Sequence, residues 1–287
     1  MIDVTDYLKY RNDFSNPDLA SVIDELSFWS SRFGQLLFNQ IELRRAVKIL
    51  DVGCANGFPL FELAHVFGSS CQLTGLDIWR EALKRARLKL RIYGLSNVNL
   101  VEADGAQQPF ADETFELIVS NLGLNNWSHP AHVLSECFRV AKAGARIFLT
   151  TNVEGHYREF YDLFRETLRE RDRPEYLDRL RAQEAHRGTK DSHCELLRQA
   201  GWTLTRVVED SFRLRFIDGS AFLNHSLTRI GFLDGWRSVV DAEDEQRVFE
   251  SVERKLNEAA SIRGELTMTV PMLYLEALKT PSAPDKN

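Results

Sequence analysis

Between residues 47 and 151, short β-forming runs alternate with helical patterns, and this alternation restricts the possible folds more than any other feature of the chain. The runs are VKILDV (47–52), QLTGLD (72–77), VNLVEA (98–103), FELIVS (115–120) and RIFLTT (146–151). Strands joined by helix-length crossovers form βαβ units, which build a parallel sheet. Later runs, TLTRVVED (203–210), FRLRF (212–216) and LTMTVPMLYLEAL (266–278), also read as strand. The predicted fold class is α/β: a seven-stranded, mostly parallel sheet with helices on both faces, amino-terminal helices and a helical carboxyl-terminal insert.

Helix punctuation agrees with this reading. Pro59 falls in the first turn of the helix after Gly57, and Gly94 and Gly144 sit just past helical stretches ending at Tyr93 and Ala143. In the helix from Arg80, Ala82, Leu83, Ala86 and Leu90 form the stripe that faces the core. Residues 155–201 read as charged helix, and further helices are predicted around 219–240 and 243–262. Pro271 has no N–H for a ladder, so it predicts an edge position, a bulge or a break in the last strand. The chain divides on these grounds into a helical cap (1–46), an α/β core (47–154), a helical insert with the last strands (155–279) and a disordered tail (280–287).

With 36 Lys and Arg against 42 Asp and Glu, the chain carries a net charge of -6, which disfavours broad contact with a phosphate backbone. The basic run Arg80, Lys84, Arg85, Arg87, Lys89 and Arg91 lies along one predicted helix and reads as its solvated face. No run of 18 apolar residues occurs, and the amino terminus shows no signal-peptide core, so a cytoplasmic protein is expected. Cys54, Cys71, Cys137 and Cys194 are scattered and predict buried free thiols, with no metal site.

The chemistry concentrates first in Asp51-Val52-Gly53-Cys54-Ala55-Asn56-Gly57, after a hydrophobic strand and before a helix. Glycine there lets the backbone turn tightly and a ligand approach the main chain, at a helix amino terminus that favours anionic groups. A dinucleotide fingerprint would need glycine at 53, 55 and 58, but Ala55 and Phe58 stand at two of these. No Gly-Lys-Ser or Gly-Lys-Thr follows, which excludes a Walker loop.

This stretch resembles the first motif of class I S-adenosylmethionine-dependent methyltransferases, an acidic residue followed by Gly-x-Gly-x-Gly. Gly53 and Gly57 match, and Ala55 replaces the middle glycine. The resemblance continues in order through Asp77 at the end of the second strand and Asp104 after the third. Asp104 precedes Gly105 and the group Pro109, Phe110, Asp112, Phe115 and Glu116. It covers residues 47–151, in the branch that includes quinone and malonyl-carrier methyltransferases, and implies a Rossmann-like sheet with S-adenosylmethionine as cofactor. On that likeness Asp51, Gly53, Ala55 and Gly57 form the cofactor turn, and Asp77 accepts from the ribose hydroxyls. Ile78 or Trp79 packs on the adenine, and Asp104 accepts from its amino group beside Gly105. Asp77 also has a purely structural reading, as a cap for the helix from Arg80. Ser120 and Asn121 end the fourth strand, at the sheet edge where open α/β folds hold ligands, and should face the methyl group or the methionine portion.

The reaction this implies is displacement at the methyl carbon by a nucleophilic oxygen, nitrogen or carbon of a small-molecule acceptor, which the enzyme must chiefly align and shield from water. A general base is needed only where the acceptor loses a proton, and His156 and His225 are the candidate catalytic residues. The aromatics Tyr7, Tyr10, Phe14, Phe28, Trp29, Phe33, Phe222 and Trp236 read as core by default, and as an apolar roof where they reach the pocket. Competing readings are a non-catalytic S-adenosylmethionine-binding or protein-interaction module and an RNA methyltransferase. The sequence leaves the choice between monomer and homodimer open.

Overall fold

The computed structural model describes residues 6–23 and 27–281, without the side chains of Asp6, Ser27 and Phe28, so the expectations for residues 282–287 and for the Phe28 ring lie outside the described residues. The strands are β1 (Lys48–Val52), β2 (Gln72–Asp77), β3 (Val98–Glu102), β4 (Phe115–Asn121), β5 (Ala141–Asn152), β6 (Thr203–Phe216) and β7 (Leu266–Leu278). They form one seven-stranded sheet in the order β3-β2-β1-β4-β5-β7-β6. β1 pairs in parallel with β2 and β4, β2 with β3, and β4 with β5. As β1 is flanked on both sides, Ile49, Leu50, Asp51 and Val52 are all buried, the continuous pattern of a central parallel strand.

At the β5–β7 end of the sheet the chain departs from the sequence reading. Lys279 accepts from Gly144 N–H and donates to Ala145 O, so two residues of β5 oppose one just past β7, the arrangement of a β-bulge. Gly144, predicted to close a helix, instead sits in this bulge at φ 78°, and the preceding helix stops at Val140. Pro271 lies in a strand flanked by β5 and β6, so the predicted edge position does not hold. The edge is β6, one unbroken strand whose charged side chains, such as Arg206, Glu209 and Arg213, keep it from pairing further.

Twelve α-helices occur among the described residues: α1 (Pro17–Val22), α2 (Ser27–Phe38), α3 (Leu60–Phe67), α4 (Arg80–Tyr93), α5 (Pro130–Val140), α6 (Arg158–Arg169), α7 (Pro174–Ala185), α8 (Lys190–Gln199), α9 (Gly219–Asn224), α10 (Ser226–Gly231), α11 (Leu233–Arg237) and α12 (Ala242–Arg263). The helix predicted around 219–240 is therefore three short ones. α4 buries Ala82, Leu83 and Ala86 as its spacing requires, and Gly94 ends it in the left-handed conformation with its N–H on Leu90 O.

The chain forms two compact units. Among the described residues, one comprises 14–23, 27–151, 189–209 and 272–281, and the other 6–13, 152–188 and 210–271. The first holds β1 to β4 with α3 against β2, α4 against β3 and α2 against β4. The second is built on aromatic packing. Phe160 stacks on Trp236 at 4.0 Å between ring centroids, and Phe222, Tyr157 and Phe164 close around them. Tyr7, Phe222 and Trp236 are wholly buried there, so these members of the proposed roof are core. The sequence FIDGSAFLNHS has a packing explanation. Asp218 caps α9, Asn257 accepts from Gly219 N–H, and a Cβ on Gly219 would come within 2.4 Å of Leu256. The four cysteines are free and buried. No helix among the described residues is long and apolar enough to cross a membrane.

Candidate active site

The glycine turn leaves β1 at Asp51 and folds back over β2. The N–H groups of Gly53 and Cys54 both donate to Leu76 O, at 2.8 and 3.2 Å. Gly53 takes φ 87° and Gly57 φ 105°; a Cβ on Gly57 would stand 2.0 Å from the Phe61 ring, so both backbone and space demand glycine. Ala55 adopts φ 42°, a left-handed conformation that costs an L-residue with a Cβ about 1–2 kcal/mol. Its N–H donates to Asp77 Oδ2 at 2.7 Å, which ties the strained residue to the end of β2.

Asp51 is wholly buried, and neither carboxylate oxygen meets a hydrogen-bond donor among the described residues. Burial, reinforced by the charge of Asp77, pushes its carboxyl up to about 8, against the smaller opposing pull of the Leu60 N–H at the start of α3, which lies outside hydrogen-bonding geometry. Asp77 is also raised by burial, but the N–H groups of Trp79, Ala55 and Ile78 oppose this. Its Oδ1 accepts from Trp79 N–H at 2.7 Å, so the capping geometry is realised, while further lone pairs on both oxygens stay available. Asp104 is exposed and accepts from Ala106 N–H at 2.9 Å. Ala103 N–H donates to Asp77 O, and a Cβ on Gly105 would stand 3.3 Å from Val52, so this loop lies against the ends of β1 and β2.

Because β3, β2, β1 and β4 are neighbours in that order and run parallel, Asp104, Asp77, the Asp51–Gly53 turn and Ser120 follow one another along a single edge. Ile78, 71% exposed, projects from this edge, while the Trp79 indole donates to Phe14 O at 2.7 Å and meets the Phe14 ring edge-on. Ser120 Oγ donates to Val52 O at 2.6 Å. Asn121 accepts from Thr150 and donates to Ser30 O, which holds α2 to β4. A cavity of about 270 Å³ opens beside the turn, lined by Asn56, Gly57, Phe58, Ser30, Lys89 and Tyr93 among others, and the three aspartates are not in its lining.

Two residues on no sequence shortlist matter here. Arg139 gathers Glu136, Asp112 and the carbonyls of Phe110 and Gln108, so the acidic end of the Pro109–Glu116 motif supports the scaffold. Trp127 follows β4, and its Nε1 stands 3.7 Å from where a Cβ of Gly53 would be and 3.0 Å from that of Gly123. Neither could be found from periodicity, since both depend on contacts between distant segments.

His156 and His225 lie in the second unit. His156 is buried between the rings of Tyr157 (3.7 Å) and Phe232 (4.9 Å), and burial with the nearby Arg187 charge holds it neutral, well below the ordinary histidine range. His225 Nδ1 accepts from Leu227 N–H at 3.2 Å and caps α10. Burial lowers its pKa too.

A parallel sheet that gathers a glycine turn and acidic strand ends along one carboxyl edge defines an α/β protein of the cofactor-binding kind. Residues 43–201, more than half of the chain, match the family model described as a methyltransferase domain, and the chain belongs to that family. Among curated proteins it is similar to a demethylmenaquinone methyltransferase of Anoxybacillus flavithermus, with 33% identity over 108 residues, 38% of this chain and 46% of that one. It is also similar to a ubiquinone/menaquinone biosynthesis C-methyltransferase of Psychromonas ingrahamii, with 32% identity over 126 residues, 42% and 50% of the two chains. The chain thus spans about half the length of the curated relatives it matches. Its fold resembles that of a Bacillus halodurans C-125 protein assigned as a methyltransferase, with 21% identity and a TM-score of 0.56 over 88% of this chain and 99% of that one.

Proposed function

We propose that the protein is an S-adenosylmethionine-dependent methyltransferase acting on a small-molecule acceptor. The observation that carries this reading is Asp51, a fully buried carboxylate without a donor, beside a glycine turn and in line with Asp77 and Asp104. An isolated buried carboxylate is costly, and a ligand that is cationic and carries N–H groups relieves that cost. The acceptor groups fit the cofactor. Asp77 has lone pairs for ribose hydroxyls, Asp104 is open to solvent for an adenine amino group, and Ile78 offers an exposed apolar surface to a flat ring. Bound there, the cofactor supplies an electrophilic methyl group on a sulfonium.

The chain's own task on this reading is to bind and align. Gly53 lets a ligand lie close to the main chain, Ser120 closes the β4 side, and Asn121 holds α2 in place. His156 and His225 are the candidates for taking a proton from an acceptor that must lose one: His156 because it is neutral, His225 through the Nε2 that its capping bond leaves over. The quinone methyltransferases among the relatives make a ring-bearing, partly apolar acceptor the first class to try.

Equilibrium binding of S-adenosylmethionine tests the cofactor, and incubation of labelled cofactor with a metabolite extract, read by mass spectrometry, tests the transfer. Saturable binding with a methyl gain supports the reading. Absence of binding at millimolar cofactor removes it in favour of a protein-interaction module.

A further inference from the structure

The strand order leaves a question of donors. If Asp104 and Asp77 serve the adenosine half at β3 and β2, the amino-acid half lies across β1 and β4, over Gly53. That half carries an ammonium, which the two unpartnered oxygens of Asp51 can accept, and a carboxylate, which needs donors. Most N–H and O–H groups around Gly53 are spent. Gly53 and Cys54 donate to Leu76 O, Ala55 donates to Asp77, Ser120 Oγ donates to Val52 O, and Asn121 Nδ2 donates to Ser30 O.

Trp127 is different. Its indole is half-buried, and its Nε1–H meets no acceptor among the described residues, yet it stands beside the glycine turn. An atom at the Cβ position of Gly53 would be in ordinary contact with Trp127 Nε1 at 3.7 Å and Ser120 Oγ at 3.9 Å. A ligand lying against Gly53 therefore meets the indole edge. The indole is held there by its own backbone, since Trp127 N–H donates to Gly123 O. The close approach of Ser120 and Trp127 also leaves no room for a side chain at 123, where a Cβ would stand 2.3 Å from Ser120 Oγ.

Resting on the cofactor reading above, we infer that the Trp127 indole N–H donates to the amino-acid carboxylate of the cofactor. Trp127 then recognises the end of the ligand that distinguishes S-adenosylmethionine from a simple thionucleoside. A hydrogen bond to a charged group of this kind changes affinity by about tenfold or more.

The test compares three probes on the unmodified protein and on Trp127→Phe, which keeps an aromatic ring but removes the donor. The probes are S-adenosylmethionine, S-adenosylhomocysteine and 5′-methylthioadenosine, which lacks the amino-acid portion. The inference requires that W127F weakens the first two about tenfold and leaves the third unchanged. Equal weakening of all three, or of none, overturns it. Tryptophan fluorescence gives a second reading: a change on S-adenosylhomocysteine binding that is lost in W127F supports the contact, and one that persists undiminished opposes it. If the unmodified protein binds none of the three, it is the cofactor reading that has failed, a result distinct from binding that ignores residue 127.

Discussion

Ala55 N–H and Asp77 Oδ2 are joined across 2.7 Å, so the one residue of the turn that breaks the glycine pattern is also the one bonded to the acid at the end of β2. An alanine at φ 42° is strained, and the bond to Asp77 helps hold it there. Glycine would take the same conformation without the Cβ clash, though it loses more entropy on folding. Ala55→Gly should therefore raise stability by up to about 1 kcal/mol, measured by chemical denaturation. A loss of stability would show that the alanine is not strained.

Asp77 serves two ends. Asp77→Ala removes the acceptor for both Ala55 and Trp79 N–H groups and should cost about 1–2 kcal/mol of stability, comparable to a lost helix cap. It should also abolish cofactor binding under the proposed function. Asp77→Asn keeps one acceptor oxygen and should recover part of the stability while binding stays weak. Titration calorimetry beside denaturation separates the two roles, and a D77A variant that binds normally would leave Asp77 a cap alone.

Asp51 predicts a pH dependence with a definite sign. Its carboxyl stands at about 8 when folded, against an ordinary 3.8, so the folded chain holds a proton that the unfolded chain has released. Its stabilising contribution is full below pH 3.8 and is lost as pH rises toward 8. Asp51→Asn should thus gain stability relative to the unmodified protein as pH rises from 4 to 8, in denaturation series without ligand. A cationic ligand prefers the carboxylate, so cofactor affinity should increase as pH rises through 8 with release of a proton, and D51N should show no such rise.

How much of this was legible beforehand depended on whether the cause was local. The strands β1 to β4 and the turn between Asp51 and Gly57 follow from periodicity and glycine placement within a few residues. Asp77, the last residue of β2, and Asp104, two residues past β3, could be named because the family resemblance expects an acid at each of these places. Gly144 was misread because a left-handed glycine serves a helix end and a bulge equally well, and only its pairing with Lys279 decides between them. Of the alternatives for Pro271 the edge position fails for a related reason: the missing N–H says what the residue cannot donate, and the neighbours of its strand depend on the topology of the whole sheet. Arg139 and Trp127 stayed hidden because their importance lies in partners far along the chain.

His225 offers a simpler test. Its Nδ1 caps α10, so His225→Ala should cost about 1 kcal/mol, while His225→Asn, which keeps a capping acceptor, should recover most of it. If His225 only caps, the Asn variant transfers methyl groups normally. If it takes the acceptor's proton, the Asn variant is stable and slow.

His156 carries the opposite sign to Asp51. Buried between Tyr157 and Phe232 with Arg187 nearby, it stays neutral when folded at pH values where the unfolded chain, titrating near 6.5, has bound a proton. The stability it permits is present above pH 6.5 and is lost as pH falls below it, by up to about 1.4 kcal/mol for each unit. His156→Phe keeps an aromatic ring in the stack and removes the titrating group, so its stability should fall less steeply between pH 6.5 and 5. The same variant separates packing from chemistry. A H156F protein that folds, binds cofactor and transfers methyl groups at the normal rate assigns His156 to the aromatic core alone. One that folds and binds cofactor but has lost its kcat assigns the acceptor's proton to this imidazole.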